Sequence, residues 1–361
     1  MVTTPKALKH IGLMMEGDYR KGSTQQDAFD EAFLTAENAE AWGYDGVWLG
    51  ERHFAPPTGP RAIPSVVSSP LIFATAIASR TSQIRVGTAI LILPLGHPVR
   101  LAEEVATVDN ISRGRLDLGV GRAGFPWAYE GFGIPFSESQ DRFREYLEVM
   151  RLAWTQGTFS YEGKYYDYQD VCVIPTPYQN PHPPLRFAAT ARDTFASLGT
   201  QGLPIFAGLG STSVADLAQS ISEYRAAWRD AGHPGDGDVM LRVGVYVAED
   251  MDRAISEPRE STVSYYERLR GSLMTTAKSF GGAGRAQRAE VLAAMSYEDA
   301  LKDRMVHGSP DWVANRINEL REELGLTGVL MEPNVGGIIP PDRLSNSIRL
   351  FGQEVAGQLK G

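Results

Sequence analysis

The sequence predicts a (β/α)8 barrel, because eight short apolar runs recur along the chain with helical patterns between them. The runs are too short for helices, and most are apolar at nearly every position, as in parallel strands buried on both faces. They are Ile11–Met15, Gly46–Leu49, Ile84–Leu93, Leu116–Val120, Leu185–Ala188, Leu203–Ala207, Leu241–Val247 and Gly328–Met331. In such a barrel the functional groups lie in the loops that follow the strands.

The segments between the runs carry helix start and stop signals. The first helix is predicted over 26–42, and Gly43 follows it as a residue suited to end a helix. Pro70 and Pro98 stand where a helix begins, a position that tolerates the missing N–H group of proline. The last barrel helix is predicted to begin after Ser309 and to end at Gly325.

Two longer segments interrupt the alternation. Residues 155–184 are rich in tyrosine and proline, and Asp250–Gly308 forms an insertion with a helical pattern between the seventh and eighth strands. The glycine-rich break Gly281–Gly284 in this insertion is compatible with a lid over the barrel mouth or with a solvated surface excursion. Because barrels with insertions commonly exceed ~250 residues, residues 1–361 are expected to form a single domain.

Composition and charge exclude several classes of partner. The chain has 361 residues, a net charge of −9 and no basic run, so nucleic acid and anionic membranes are disfavoured as main partners. The one cysteine, Cys172, allows no internal disulfide and suits the reducing cytoplasm, which is the expected location. No apolar stretch approaches ~18 residues and no signal peptide is expected, so no membrane association is predicted.

One candidate anion site follows the fifth strand. Thr190 has the signals of a helix N-cap, and Asp193 lies three residues on. Thr194 adds a hydroxyl on the same side of this helix start. A helix N-terminus offers unpaired N–H groups and attracts phosphate, although many such caps bind no ligand.

A second candidate follows the fourth strand. Gly119–Gly124 matches the pattern G-x-G-x-x-G, but a long loop that begins at Phe125 follows it instead of a helix, which excludes the dinucleotide-binding interpretation. The glycines would let a ligand approach the backbone while Arg122 pairs with an anion. The alternative is a glycine-rich turn with an exposed arginine.

His53 and His97 both follow strands, at the catalytic face of the predicted barrel. A lone histidine is more often a structural group, but two at strand ends favour a functional role. Neither has the spacing to a second histidine or a carboxylate that zinc sites require, so no metal is predicted.

Taken together and in order, several segments resemble the bacterial luciferase-like family of flavin-dependent oxidoreductases. Each segment is weak evidence alone, whereas the ordered set is specific and extends over nearly the whole chain. The segments are Ala36–Glu51 with Arg52-His53-Phe54 after it, Val86–Ile90, Leu93–Arg100, Ser112–Arg115, Gly119–Gly124, Phe132-Gly133, Gly202–Pro204 and His307–Pro310.

The resemblance implies a TIM barrel that binds FMN at its C-terminal face. It places the isoalloxazine ring over the end of the third strand, where the family has a non-proline cis peptide that matches Ala89-Ile90. It also implies a set of phosphate ligands. These are Arg122, Arg142, Thr190, Ala191 and Thr194.

The sequence departs from the luciferases after the second strand. They carry Glu-His-His with the first histidine as catalytic base, whereas Glu51-Arg52-His53 stands here. This casts doubt on light emission from a long-chain aldehyde. His53 is predicted to assist oxygen chemistry, with Arg52 paired to a carboxylate such as Glu51 or to an anionic substrate group. Alternatively, His53 only bonds the Pro56–Pro60 loop.

The predicted function is therefore an FMN-dependent monooxygenase that uses reduced FMN and O2 to oxygenate a small organic substrate. A separate flavin reductase is expected to supply the reduced FMN in a two-component system, because the sequence has no nicotinamide-binding motif. The resemblance implies a homodimer. Two alternatives are a coenzyme F420-dependent hydride-transfer oxidoreductase, which Arg122 disfavours, and a flavin-storing barrel without turnover.

Overall fold

The computed structural model describes residues 7–55, 65–280 and 283–360, and these include all eight predicted strands. The strands, in chain order, are His10–Met15 (β1), Gly46–Leu49 (β2), Arg85–Ile92 (β3), Leu116–Gly121 (β4), Phe159–Glu162 (β5), Asp167–Val171 (β6), Leu185–Ala188 (β7), Ile205–Gly208 (β8), Val239–Val247 (β9), Met305–Gly308 (β10) and Gly328–Glu332 (β11).

Helices follow the barrel strands. They are Gln25–Ala41 (α1), Pro70–Arg80 (α2), Pro98–Ser112 (α3), Pro126–Gly131 (α4), Ser139–Thr155 (α5), Arg192–Thr200 (α6), Val214–Asp230 (α7), Met251–Ser256 (α8), Arg259–Phe280 (α9), Ala283–Ala294 (α10), Tyr297–Asp303 (α11), Pro310–Leu324 (α12), Pro341–Leu350 (α13) and Ala356–Leu359 (α14). Short 3₁₀ turns lie at Leu93–Leu95 and Phe136–Glu138, and a π-helical segment at Phe351–Val355.

The strand order confirms the predicted (β/α)8 barrel. Neighbours in the main sheet run β10-β9-β11-β1-β2-β3-β4-β7-β8, and β9 also pairs with β8, so eight of the strands form a closed ring. The pairings β1–β11, β3–β4, β7–β8 and β9–β11 are all parallel. The eight apolar runs of the sequence correspond to these eight strands.

Three strands were not predicted from the sequence. β10 adds to the sheet by pairing Met305–Gly308 with Gly244–Val247 of β9. It has four residues and ends in His-Gly, so the sequence shows no continuous apolar run there. β5 and β6 form an antiparallel hairpin within the tyrosine- and proline-rich segment. These two strands are mostly exposed or half-buried, so they lack the apolar runs on which the strand prediction depended.

The chain divides into two compact units. The large unit comprises Met1–Trp48, Ala55–Val66 and Phe187–Gly361, and the small unit comprises Leu49–Phe54 and Val67–Arg186. The small unit holds β3, β4, the β5–β6 hairpin and helices α2 to α5, whereas the large unit holds β1, β8 to β11 and the other helices.

The predicted insertion Asp250–Gly308 is helical through α8 to α11 and ends in β10. The side chain of Asp250 caps α8 by accepting a hydrogen bond from the backbone N–H of Arg253 at 2.9 Å. Gly281 and Gly282 of the predicted glycine break lie outside the described residues, as does the Pro56–Pro60 loop. Among the helices described, none is long and apolar enough to cross a membrane.

Candidate active site

The loop after β2, in the small unit, brings a histidine against a carboxylate. Oε1 of Glu51 lies 2.6 Å from Nε2 of His53, and Oε2 of the same carboxylate accepts a hydrogen bond from the backbone N–H of Ile92 at 2.7 Å. Both side chains are largely buried, with 12% exposed. Glu51 therefore connects His53 to the end of β3 and holds the imidazole in one orientation.

Aromatic rings surround the other side of His53. The ring of Phe132 meets the imidazole edge-on with centroids 4.9 Å apart, and Phe54 lies 5.8 Å away. A Cβ atom at Gly131 would come within 2.3 Å of the Phe54 ring, so only glycine lets this ring pack where it does. The packing fixes the imidazole through both its polar and its apolar contacts.

Arg52 contacts the backbone of its neighbour and an aromatic ring. Its Nη1 donates to the backbone carbonyl of Glu51 at 3.3 Å, and its guanidinium lies 5.9 Å from the ring centroid of Phe125. The Glu51 carboxylate contacts His53 and the N–H of Ile92, and the pairing of Arg52 with a carboxylate or with an anionic substrate group stays a prediction.

The peptide bond Ala89-Ile90 in β3 is cis, as predicted. At this point the register between β3 and β4 shifts between Thr88 and Leu91. The buried hydroxyl of Thr88 bridges the irregular stretch, since it donates to the carbonyl of Gly119 at 2.9 Å and accepts from the N–H of Gly119 at 3.1 Å.

Arg122 lies directly after β4 with a sparsely bonded guanidinium. Its Nη1 donates a long hydrogen bond of 3.3 Å to the buried hydroxyl of Ser139, the first residue of α5. The hydroxyl of Tyr129 donates to the backbone carbonyl of Arg122 at 2.5 Å. Burial raises the pKa of Tyr129 well above its ordinary value, so this phenol stays a donor at neutral pH.

No carboxylate among the described residues forms an ion pair with Arg122, although the side chain is only half-exposed. A half-buried guanidinium without a carboxylate partner is a suitable ligand for an anion. The geometry of Arg122 therefore fits its predicted role as a phosphate ligand.

Arg142 lies one turn into α5 and is more fully engaged. Its Nε donates to Oε2 of Glu138 at 2.8 Å, and its guanidinium lies 4.4 Å from the ring centroid of Tyr165. The arginine would have to keep or exchange the ion pair with Glu138 when it binds an anion.

In the large unit, the helix after β7 begins one residue later than predicted. The N-cap of α6 is Ala191, not Thr190, and no side chain caps this helix. Thr190 lies before the cap and is exposed, and the N–H of Thr194 donates to the carbonyl of Ala191 at 3.0 Å. The threonine–aspartate spacing suggested a cap, but the backbone becomes helical only at Arg192. The exposed helix start keeps N–H groups that an anion could accept.

The large unit also contains charged and polar side chains at strand ends that were not predicted from the sequence. Arg242 of β9 donates to Glu332 at 2.9 and 2.6 Å and to Glu16 at 3.0 Å. Beyond β1, Asp18 accepts a hydrogen bond from Asn334 at 2.6 Å. Burial raises the pKa of Asp18 to about 7. Asp18 could have been found from the sequence, because it is a polar residue that follows a predicted barrel strand.

His97 lies at the start of α3. Its Nδ1 accepts a hydrogen bond from the N–H of Arg100 at 3.3 Å, which makes it the N-cap of α3, and its ring packs edge-on against Tyr168. Among the described residues no group of histidine, cysteine and acidic side chains could hold a metal ion.

Comparison with known proteins identifies the family. The chain belongs to the luciferase-like monooxygenase family, whose model matches residues 10–328. It is 28% identical over 249 residues to the oxygenase component of a flavin-dependent trigonelline monooxygenase from Acinetobacter baylyi, which covers 67% of this chain and 66% of the relative. The chain matches between about half and two thirds of the length of such curated relatives.

Solved structures share the fold. The oxygenating constituent of 3,6-diketocamphane monooxygenase from Pseudomonas putida, a type II Baeyer–Villiger enzyme solved with FMN, has a TM-score of 0.79 at 24% identity, covering 97% of this chain and 98% of that one. An F420-dependent secondary alcohol dehydrogenase has a TM-score of 0.73 at 18% identity, covering 99% and 100%. At these identities the likeness is one of fold, which enzymes of both cofactors use.

Proposed function

We propose that this protein is an FMN-dependent monooxygenase that oxygenates a small organic substrate with O2. The observation that carries the proposal is the guanidinium of Arg122, which lies directly after β4 beside the Ser139 hydroxyl and has no carboxylate partner among the described residues. Membership of the luciferase-like monooxygenase family supports FMN as the anion that Arg122 binds.

Two groups of residues fit a phosphate, one in each unit. In the small unit, Arg122 and Ser139 offer charged and neutral donors, and Arg142 lies on the same helix as Ser139. In the large unit, the uncapped start of α6 offers backbone N–H groups with the hydroxyls of Thr190 and Thr194 nearby. We propose both groups as FMN ligands, with Ala191 as the residue from which the helix starts.

We propose the strand end at Ala89 and Ile90 as the support for the isoalloxazine ring. When bound, FMN supplies the redox chemistry and the activation of oxygen. The protein has to bind the cofactor, orient it and keep water away.

His53 is proposed to move a proton during oxygen chemistry. Its Nε2 contacts Glu51 at 2.6 Å, so the second ring nitrogen, Nδ1, is the one that could face a reacting group. An imidazole can give or take a proton near neutral pH, whereas the guanidinium of Arg52 cannot act as a base there. Glu51 is proposed as a positioning residue, since it acts on the reaction only through His53.

A separate flavin reductase is proposed as the source of reduced FMN, because the trigonelline relative is described as the oxygenase component of its system. A homodimer and a cytoplasmic location are proposed on the family resemblance and on the single cysteine.

The proposal is tested by titrating purified protein with FMN and following the flavin fluorescence. Charge-assisted hydrogen bonds contribute about 1.5–3 kcal/mol each, so Arg122→Ala should weaken FMN binding by about tenfold to a hundredfold. Arg100→Ala is the control, because Arg100 belongs to the same unit but is exposed and paired with Glu104. An unchanged dissociation constant for Arg122→Ala refutes the phosphate assignment.

A further inference from the structure

The insertion in the large unit contains buried polar groups that have no hydrogen-bond partner among the described residues. These groups are the hydroxyls of Thr262 and Tyr266 and the Nη1 atom of Arg304. The exposed fractions of these three residues are 1%, 8% and 7%. Native proteins rarely leave buried polar groups unpaired, so three in one part of a fold require an explanation, and a bound ligand is one.

The three groups converge on one region. Thr262 and Tyr266 are four residues apart in α9, so their side chains share one face of that helix. Tyr266 belongs to a buried cluster with Ala300 and Met305, which flank Arg304 in the chain. Arg304 therefore belongs to the segment of the chain that packs against Tyr266.

The acidic residues of this region are already engaged. Asp303, the neighbour of Arg304, accepts a hydrogen bond from the N–H of Val214 at 3.1 Å. Glu332, whose charge also acts on Tyr266, binds Arg242 at 2.6 Å. Among the described residues no carboxylate forms an ion pair with Arg304. A buried guanidinium requires an anion, and the protein supplies none from this part of the chain.

The side chains around Tyr266 are apolar. The cluster around Tyr266 includes Leu292, Met305 and Val335, and partly buried hydrophobic side chains pack against it. Burial raises the pKa of the Tyr266 phenol far above its ordinary value, so this group is a neutral donor. A planar guanidinium and two hydroxyl donors match a carboxylate, whereas apolar walls match a carbon skeleton better than a hydrated inorganic ion.

We infer that Arg304, Tyr266 and Thr262 form a binding site, beneath the helices of the insertion, for the carboxylate of a small apolar organic acid. The inference does not rest on the proposed flavin chemistry, because none of the three residues is a proposed FMN ligand. The acid could be the substrate itself or a separate effector, and both share the carboxylate chemistry.

The test is the thermal stability of the purified protein with sodium benzoate, sodium acetate or sodium sulfate, at constant ionic strength against sodium chloride. Benzoate should raise the Tm of the wild type saturably and at lower concentration than acetate, and sulfate should have little effect. Arg304→Met should weaken the benzoate response at least tenfold, and Tyr266→Phe should weaken it several-fold. Arg316→Met is the control, since Arg316 belongs to the same unit and pairs with Glu319 on α12.

Circular dichroism establishes that each variant is folded. If Arg304→Met does not fold, Arg304→Lys replaces it, because lysine keeps the charge but loses the planar fork. Benzoate that competes with turnover of the wild type identifies the acid as a substrate analogue, and benzoate that alters turnover without competing identifies an effector. The inference is overturned if the wild type shows no saturable benzoate response, if sulfate alone stabilises it, or if the Arg304 variant responds like the wild type.

Discussion

The contact between Glu51 and His53 makes a sharp prediction for the variant Glu51→Gln. Glutamine has nearly the same shape as glutamate, and its amide oxygen can still accept from the N–H of Ile92, which now lies 2.7 Å from the carboxylate. The amide group would then point at Nε2 of His53 in place of the carboxylate oxygen at 2.6 Å. An amide N–H can only donate there, so Nε2 must become the acceptor and the imidazole changes its tautomer.

The expected cost follows from the bonds that change. The charge-assisted hydrogen bond to His53 is replaced by a neutral one, and the difference is about 1–2 kcal/mol. If all of it is expressed in the transition state, turnover falls by about fivefold to thirtyfold. FMN affinity should stay within about twofold of the wild type, because Glu51 is not proposed to contact the cofactor.

The assay is formation of the oxygenated product with a flavin reductase, NADH and FMN, on a substrate selected by product formation from a panel of small organic compounds. The same experiment on Glu104→Gln is the control, because Glu104 is an exposed partner of Arg100 in the same unit. Full turnover by Glu51→Gln, with FMN bound and the fold intact, would refute a positioning role of Glu51. So would an equal loss in the control.

Three further predictions concern other residues. His53→Ala, with FMN still bound, should lose about 10²–10⁴-fold in turnover in the same assay, and wild-type product yield would leave His53 a structural residue. Arg142→Gln should weaken FMN binding less than Arg122→Ala does in a fluorescence titration, because the ion pair of Arg142 with Glu138 at 2.8 Å competes with phosphate. A larger loss of FMN affinity in the Arg142 variant would contradict this ranking. Asp18→Asn should flatten the pH dependence of the unfolding free energy in urea titrations. Burial raises the pKa of Asp18 from 3.8 to about 7, so between these values the folded protein keeps a proton that the unfolded chain has lost. The unfolding free energy of the wild type should therefore fall by about 2 kcal/mol at most as the pH rises from about 4 to 7. An equal slope in the wild type and in Asp18→Asn would contradict this prediction.

The sequence was sufficient for the barrel because its strands are buried on both faces. Each of the eight runs is a nearly unbroken apolar stretch, which no turn or exposed helix reproduces. The hairpin Phe159–Val171 escaped the prediction because its strands carry exposed polar residues. β10 escaped it because Met305–Gly308 ends in His-Gly and so lacks a continuous apolar run.

The candidate site was predicted only in part, because some of its contacts join residues that are distant in the chain. The cis bond Ala89-Ile90 follows from ordered family segments, which the sequence displays directly, whereas the role of Arg122 stays a prediction. The contact of Glu51 with His53 depends on the N–H of Ile92, which is distant in the chain and becomes a neighbour only in the folded barrel. The burial of Arg304 likewise depends on Tyr266 of α9, which lies 38 residues earlier in the chain, and no local pattern marks it.

The central claim, that this chain is an FMN enzyme, is tested most directly by one titration. Purified protein stripped of cofactor is titrated with oxidised and reduced FMN, FAD and coenzyme F420, and binding is followed by fluorescence. The proposal predicts saturable binding of FMN, at least tenfold tighter than that of F420, and a loss of this preference in Arg122→Ala. Tight binding of F420 with weak or absent binding of FMN would contradict the proposal and assign the chain to F420-dependent hydride transfer.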